Sequence, residues 1–144
     1  MATTSTSLPI STRRPKIVIS DASLNRLEAL AERSFERDPA LASRLLDEIG
    51  RARIVNAQKM PANVVAIGNV VTYRDGTTGQ ERTVTLVFPG DADIASQKIS
   101  IMTPIGVALL GLKEGASFYW DTRDGERRML TVVRVTSGAS VSEN

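Results

Sequence analysis

The chain has 144 residues, enough for one apolar core of ordinary size, and it contains neither cysteine nor histidine. That excludes disulfides, thiol nucleophiles, imidazole bases and zinc sites built on those ligands. The formal charge of +2 arises at the start of the chain: residues 1–20 hold three bases and no acid, residues 21–60 seven of each, and residues 61–144 eight bases and nine acids. A near-neutral body with only six aromatic residues disfavours direct nucleic-acid binding, which needs clustered cations beside stacking rings.

Residues 1–15, "MATTSTSLPISTRRP", are rich in hydroxyls, lack acids and are broken by Pro9 and Pro15, so a disordered tail is expected there. No apolar run approaches the ~20 residues that cross a bilayer. A cysteine-free chain also suits a reducing cytoplasm.

"KIVIS" is a short β-type run leading into a helix that Ser20 or Asp21 can cap, with Leu24, Leu27, Leu30 and Ala31 on its apolar face. Asp38 followed by Pro39 is a second start signal, and Leu41, Leu45, Leu46, Ile49 and Ala52 mark the stripe of the next helix. The spacing predicts an antiparallel helical hairpin turning near residues 35–38.

Beyond Met60-Pro61 the period changes to two. "NVVAIGNVVTYRD" and "RTVTLVF", joined by "DGTTG", predict a β-hairpin over residues 64–88 with Val84, Leu86 and Phe88 on one face. "KISIM" is a third strand with Ile99 and Ile101 inward. "ASFYWDT" and "RRMLTVVRVT", separated by Arg123, Asp124, Gly125 and Glu126, predict a second hairpin, with Phe118 and Trp120 read as core residues. Between them, in "SIMTPIGVALLGLKEG", Thr103 can cap a very short helix, Pro104 suits its first position, Gly106 permits close approach and Gly111 can stop it in the left-handed conformation. The predicted fold class is α+β. Its parts are a tail (1–15), a short helical hairpin (16–60), a mostly antiparallel sheet with one short helix (61–137) and a frayed end (138–144).

The order and spacing of "IVISDAS", "MPANVV", "YRD", "LVFPGDAD", "SIMTPIGVALLGLKEG" and the tryptophan of the next strand resemble the regulator of nucleoside diphosphate kinase (Rnk) family over residues 16–136. The C-terminal part is similar to that of the Gre transcript-cleavage factors. The resemblance implies an FKBP-like C-terminal domain and binding to RNA polymerase at its secondary channel, on the largest catalytic subunit. In Gre factors an aspartate followed by Ser-Pro touches that subunit. Met102, Thr103 and Pro104 are the matching positions, with methionine replacing the aspartate as in the Rnk group.

Gre factors also present carboxylates at a hairpin tip to hold a magnesium ion that activates water. Here Glu36 and Asp38, with Glu32, lie near the turn, but Arg33 and Arg37 interleave with them. Helices of twelve to fifteen residues reach only ~18–22 Å. The expected protein is therefore a monomeric, non-catalytic polymerase-binding regulator that competes with Gre-type factors. It needs no cofactor, metal, membrane or sequence-specific nucleic acid, and Glu36 and Asp38 join the candidate contact residues. An active cleavage factor is the alternative reading. A prolyl isomerase, suggested by fold analogy alone, is a third. "GTTG" lacks the ending of a phosphate loop, and Asp91 and Asp93 read as solvated turn residues.

Overall fold

The structure, a computed structural model, describes residues 15–121 and 127–137, except for the side chains of Phe118, Trp120 and Asp121. The tail over residues 1–14, the turn at residues 123–126, the end of the chain from residue 138 and the core roles expected of Phe118 and Trp120 lie outside the described residues.

Each helix begins where the sequence supplies a cap. Ser20 Oγ accepts from the Ala22 N–H at 3.1 Å to start α1 (Asp21–Ser34). Asp38 Oδ1 accepts from the Leu41 N–H at 3.2 Å, and Pro39 occupies the first turn of α2 (Pro39–Arg51). Leu27, Leu30 and Ala31 of α1 are buried with Leu41, Leu45 and Ile49 of α2, so the apolar stripes form an antiparallel hairpin. The third helix, α3 (Pro104–Leu109), is only six residues long. It is held by packing rather than by its own ladder, with Val107, Ala108 and Leu109 in the core.

The β-type run at "KIVIS" forms as expected, but its partner strand and their pairing are absent from the sequence reading. β1 (Val18–Ser20) runs parallel to β2 (Arg53–Val55), with Ile19 opposite Ile54. The two strands flank the hairpin and join its roots. The second helix therefore stops at Arg51, and Ala52 turns extended.

The remaining strands, β3 (Val70–Asp75), β4 (Glu81–Val87), β5 (Lys98–Ser100), β6 (Ser117–Asp121) and β7 (Arg127–Thr136), form one sheet in the order β5-β4-β3-β7-β6. It is antiparallel except at its edge, where β4 and β5 run parallel. The first hairpin starts at Val70 rather than at residue 64: Gly68 takes φ 93°, and Val64 makes only an isolated bridge to Lys113. Val64 and Val65 are buried all the same.

A single apolar core runs through both parts, from Ile17 and Ile19 through Leu27 and Leu45 to Leu86, Ile101, Leu109 and Val132. Two glycines allow its closest approaches. A Cβ on Gly106 would meet Ile101 Cα and Ile101 O, both at 2.9 Å. Gly111 ends the short helix at φ 80° and lies against the first strand: its carbonyl accepts from the Val18 N–H at 3.1 Å. On the other side of that strand the Arg53 N–H donates to the Ile17 carbonyl at 2.9 Å. The core also contains a charge that periodicity did not reveal. Glu48 is buried, and its Oε1 accepts from Arg51 Nε at 2.8 Å, while Arg51 Nη1 donates to the Pro15 carbonyl at 2.7 Å.

Candidate functional site at the hairpin tip

The end of the helical hairpin overhangs the segment that follows β4. Between them lies an open cleft of about 940 Å³. Glu36 and Asp38, from the hairpin turn, line one side. Met102, which precedes α3, lines the other. Three residues from two distant segments, each singled out in the sequence, therefore share one surface.

Local chemistry positions each of them. The turn is closed by the Asp38 N–H donating to the Ser34 carbonyl at 2.9 Å, which leaves Glu36 exposed at the apex. Asp38 is half-buried, and its carboxylate caps α2. The Met102 N–H donates to Ser100 Oγ at 2.9 Å, and its side chain packs partly against the core. Thr103 and Pro104 do not line the cleft. Thr103 Oγ1 donates to the Ser100 carbonyl at 2.8 Å and accepts from the Gly106 N–H at 3.0 Å. Its hydroxyl is committed to the fold. Pro104 is half-buried in the first turn of α3.

The cleft also contains residues that were not among the contact candidates named from the sequence. Phe88 packs partly against the core, as expected, and also lines the cleft with the Arg26 guanidinium 3.9 Å from its ring centroid. Arg33 and Arg37 stand on the hairpin side, and Asp91 on the opposite wall. Among the described residues neither of these arginines is paired with a carboxylate. Arg26 and Arg33, seven apart on one helix, share a face, and this spacing was the signal in the sequence for Arg26.

The arrangement mixes both signs over an apolar floor. Three guanidiniums and three carboxylates border Phe88, Met102 and Leu30. A polyphosphate or nucleic-acid strand would meet the acids as well as the bases, whereas a protein surface carrying both signs can match them. Among the described residues no three His, Cys, Asp or Glu side chains come together in a way that could hold a metal ion. No described helix is long and apolar enough to cross a membrane.

A capped helical hairpin set on a curved sheet with one short buried helix is a fold found in bacterial transcription elongation factors. The GreA/GreB structure from Nitrosomonas europaea superposes with a TM-score of 0.67 at 36% identity, covering 85% of this chain and 99% of that one. The model of the GreA/GreB C-terminal region matches residues 60–137, and that of the Rnk N-terminus matches residues 15–55. This defines the class: a Gre-type C-terminal region behind an N-terminal hairpin of the Rnk kind. The "Regulator of nucleoside diphosphate kinase" of Escherichia coli K12 is 33% identical over 122 residues, 85% of this chain and 90% of that protein. Transcription elongation factor GreA of Azorhizobium caulinodans is 36% identical over 83 residues, but the match spans only 53% of its length. The chain belongs to the Rnk family.

Proposed function

We propose that this protein is a non-catalytic regulator of transcription that binds RNA polymerase at the rim of the secondary channel and competes there with Gre-type factors. The observation that carries this reading is the hairpin itself. Its helices have 14 and 13 residues, a length of roughly 20 Å at ~1.5 Å per residue. Its two tip carboxylates share a cleft with Arg26, Arg33 and Arg37. Hard cations bind oxygen only within about 2.0–2.6 Å, so carboxylates on so short a support stop before a distant metal centre. Glu36, Asp38 and Met102 form the contact surface, and Thr103 and Pro104 set the course of the segment that presents Met102. The partner is the largest catalytic subunit of the polymerase.

Under this reading, an effect on nucleoside diphosphate kinase of the kind the Escherichia coli relative is named for is exerted through transcription. Size-exclusion chromatography with core polymerase tests it. Co-elution at micromolar concentrations and displacement by a Gre-type factor are expected. Magnesium-dependent shortening of RNA in a stalled elongation complex would instead establish a cleavage factor, and failure to co-elute would overturn the polymerase reading.

A further inference from the structure

The connection between β4 and β5 carries the most exposed large apolar side chain among the described residues. Ile94 is 86% exposed, whereas Phe35, Ile54 and Tyr119 reach only 39 to 43%. A lone surface apolar residue is ordinary. The backbone beneath this one is not.

Ile94 opens a single 3-10 turn, Ile94–Ser96, and the segment around it is tied to itself at every step. Asp93 Oδ1 accepts from the Ala95 N–H at 3.2 Å, and Asp93 Oδ2 accepts from Ser96 Oγ at 2.9 Å. Asp93 and Lys98 exchange both backbone hydrogen bonds at 2.9 Å, and the Gln97 N–H donates to the Ile94 carbonyl at 2.9 Å. Gln97 closes the turn at φ 62°, the one positive φ at a non-glycine residue among those described. A β-carbon disfavours that conformation, and such strain concentrates where surrounding structure enforces a particular presentation. A loop free to relax would lay an isoleucine against its neighbours. This one holds it outward.

We infer that Ile94 is a preorganised anchor that inserts into an apolar socket on RNA polymerase, beside a basic group that faces Asp91. The inference rests on the polymerase reading above and adds a contact outside the residues named there. Continuity and charge favour this occupant. The preceding turn, Pro89–Asp91, is a wall of the cleft, and Ile94 follows it three residues along the chain. Asp93 spends its carboxylate on the turn. Asp91 is exposed and has no hydrogen-bond or ion-pair partner for its side chain among the described residues, which leaves it available to a cation. Ordering the loop beforehand also removes an entropy cost from binding.

Titration of core polymerase with labelled wild type, Ile94→Ala, Ile94→Asp and Asp91→Ala tests the inference. Full burial of an isoleucine side chain corresponds to roughly ten- to a hundredfold in affinity. Ile94→Asp should weaken binding by at least that lower figure, Ile94→Ala by less, and Asp91→Ala chiefly at low salt, with unchanged melting temperatures for all three. Wild-type binding that Ile94→Asp leaves within twofold overturns the anchor while sparing the polymerase reading. Absence of wild-type binding overturns both. Concentration-dependent self-association abolished by Ile94→Asp, with polymerase affinity intact, would assign the anchor to a second copy of the chain and likewise overturn the inference.

Discussion

The Arg26 guanidinium lies 3.9 Å from the centroid of the Phe88 ring, so a cation of α1 is stacked on the residue that follows β4. This pair joins the hairpin to the opposite wall of the cleft. At a partly exposed site such a contact contributes about 0.5–1 kcal/mol. A double-mutant cycle with Arg26→Ala and Phe88→Leu, read by urea unfolding, should return a coupling energy of that size. Additive single-variant losses would show that the stacking contributes nothing.

Gly106 and Gly50 should respond in opposite directions to the same methyl group. On Gly106 the added Cβ meets the backbone of Ile101, which cannot rotate away. Gly106→Ala should therefore cost about 2 kcal/mol or more. Nothing lies within 4 Å of a Cβ built on Gly50, near the end of α2. Gly50→Ala should stabilise by up to about 1 kcal/mol. Thermal melts of the two variants decide both.

Asp75 gives the fold an acid-sensitive contact. Burial alone pushes its carboxyl up, but hydrogen bonds from the Thr77 N–H, the Arg128 side chain and the Thr78 N–H outweigh this and hold it below its ordinary value. A carboxyl depressed in the folded state stabilises fully above its unfolded value near ~3.9. That stabilisation is lost as pH falls through the lower folded value. Urea melts from about pH 2.5 to pH 7 should therefore show an acid limb that Asp75→Asn flattens. An identical limb in wild type and variant would mean that other groups set it.

The two tip carboxylates should separate stability from binding. Asp38 caps α2, so Asp38→Ala should cost about 1 kcal/mol, and Asp38→Asn, which keeps an accepting oxygen, should restore most of it. Glu36 is exposed in the turn. Glu36→Ala should leave the melting temperature unchanged while weakening co-elution with polymerase. If it binds as wild type does, the apex is not a contact.

Local signals were legible in the sequence where one or two residues fix a conformation. Ser20, Asp38 with Pro39, and Thr103 with Pro104 start the three helices as expected, and Gly111 ends the last one. Pairings between distant segments were not. β2 is three residues long, too short for any alternation to appear, and it exists because β1 lies beside it. The parallel β4–β5 edge and the bulge between Thr72 and Tyr73 in the pairing of β3 with β7 likewise have no local cause. Glu48 was hidden because an acidic residue on a helix reads as solvent-facing, even with its ion-pair partner Arg51 three residues on. The site divides in the same way. Glu36, Asp38 and Met102 could be named singly, but the surface they share with Phe88 arises only when the hairpin lies against the segment after β4.

The seam at Ile17 and Val18, bonded to Arg53 on one side and Gly111 on the other, ties the hairpin to the sheet domain. Its roots and the end of α3 are laced through the same strand, so a force on one is felt by the other. Under the polymerase reading, a partner held near Thr103 and Pro104 would meet Glu36 at a set distance and bearing, as on a fixed gauge.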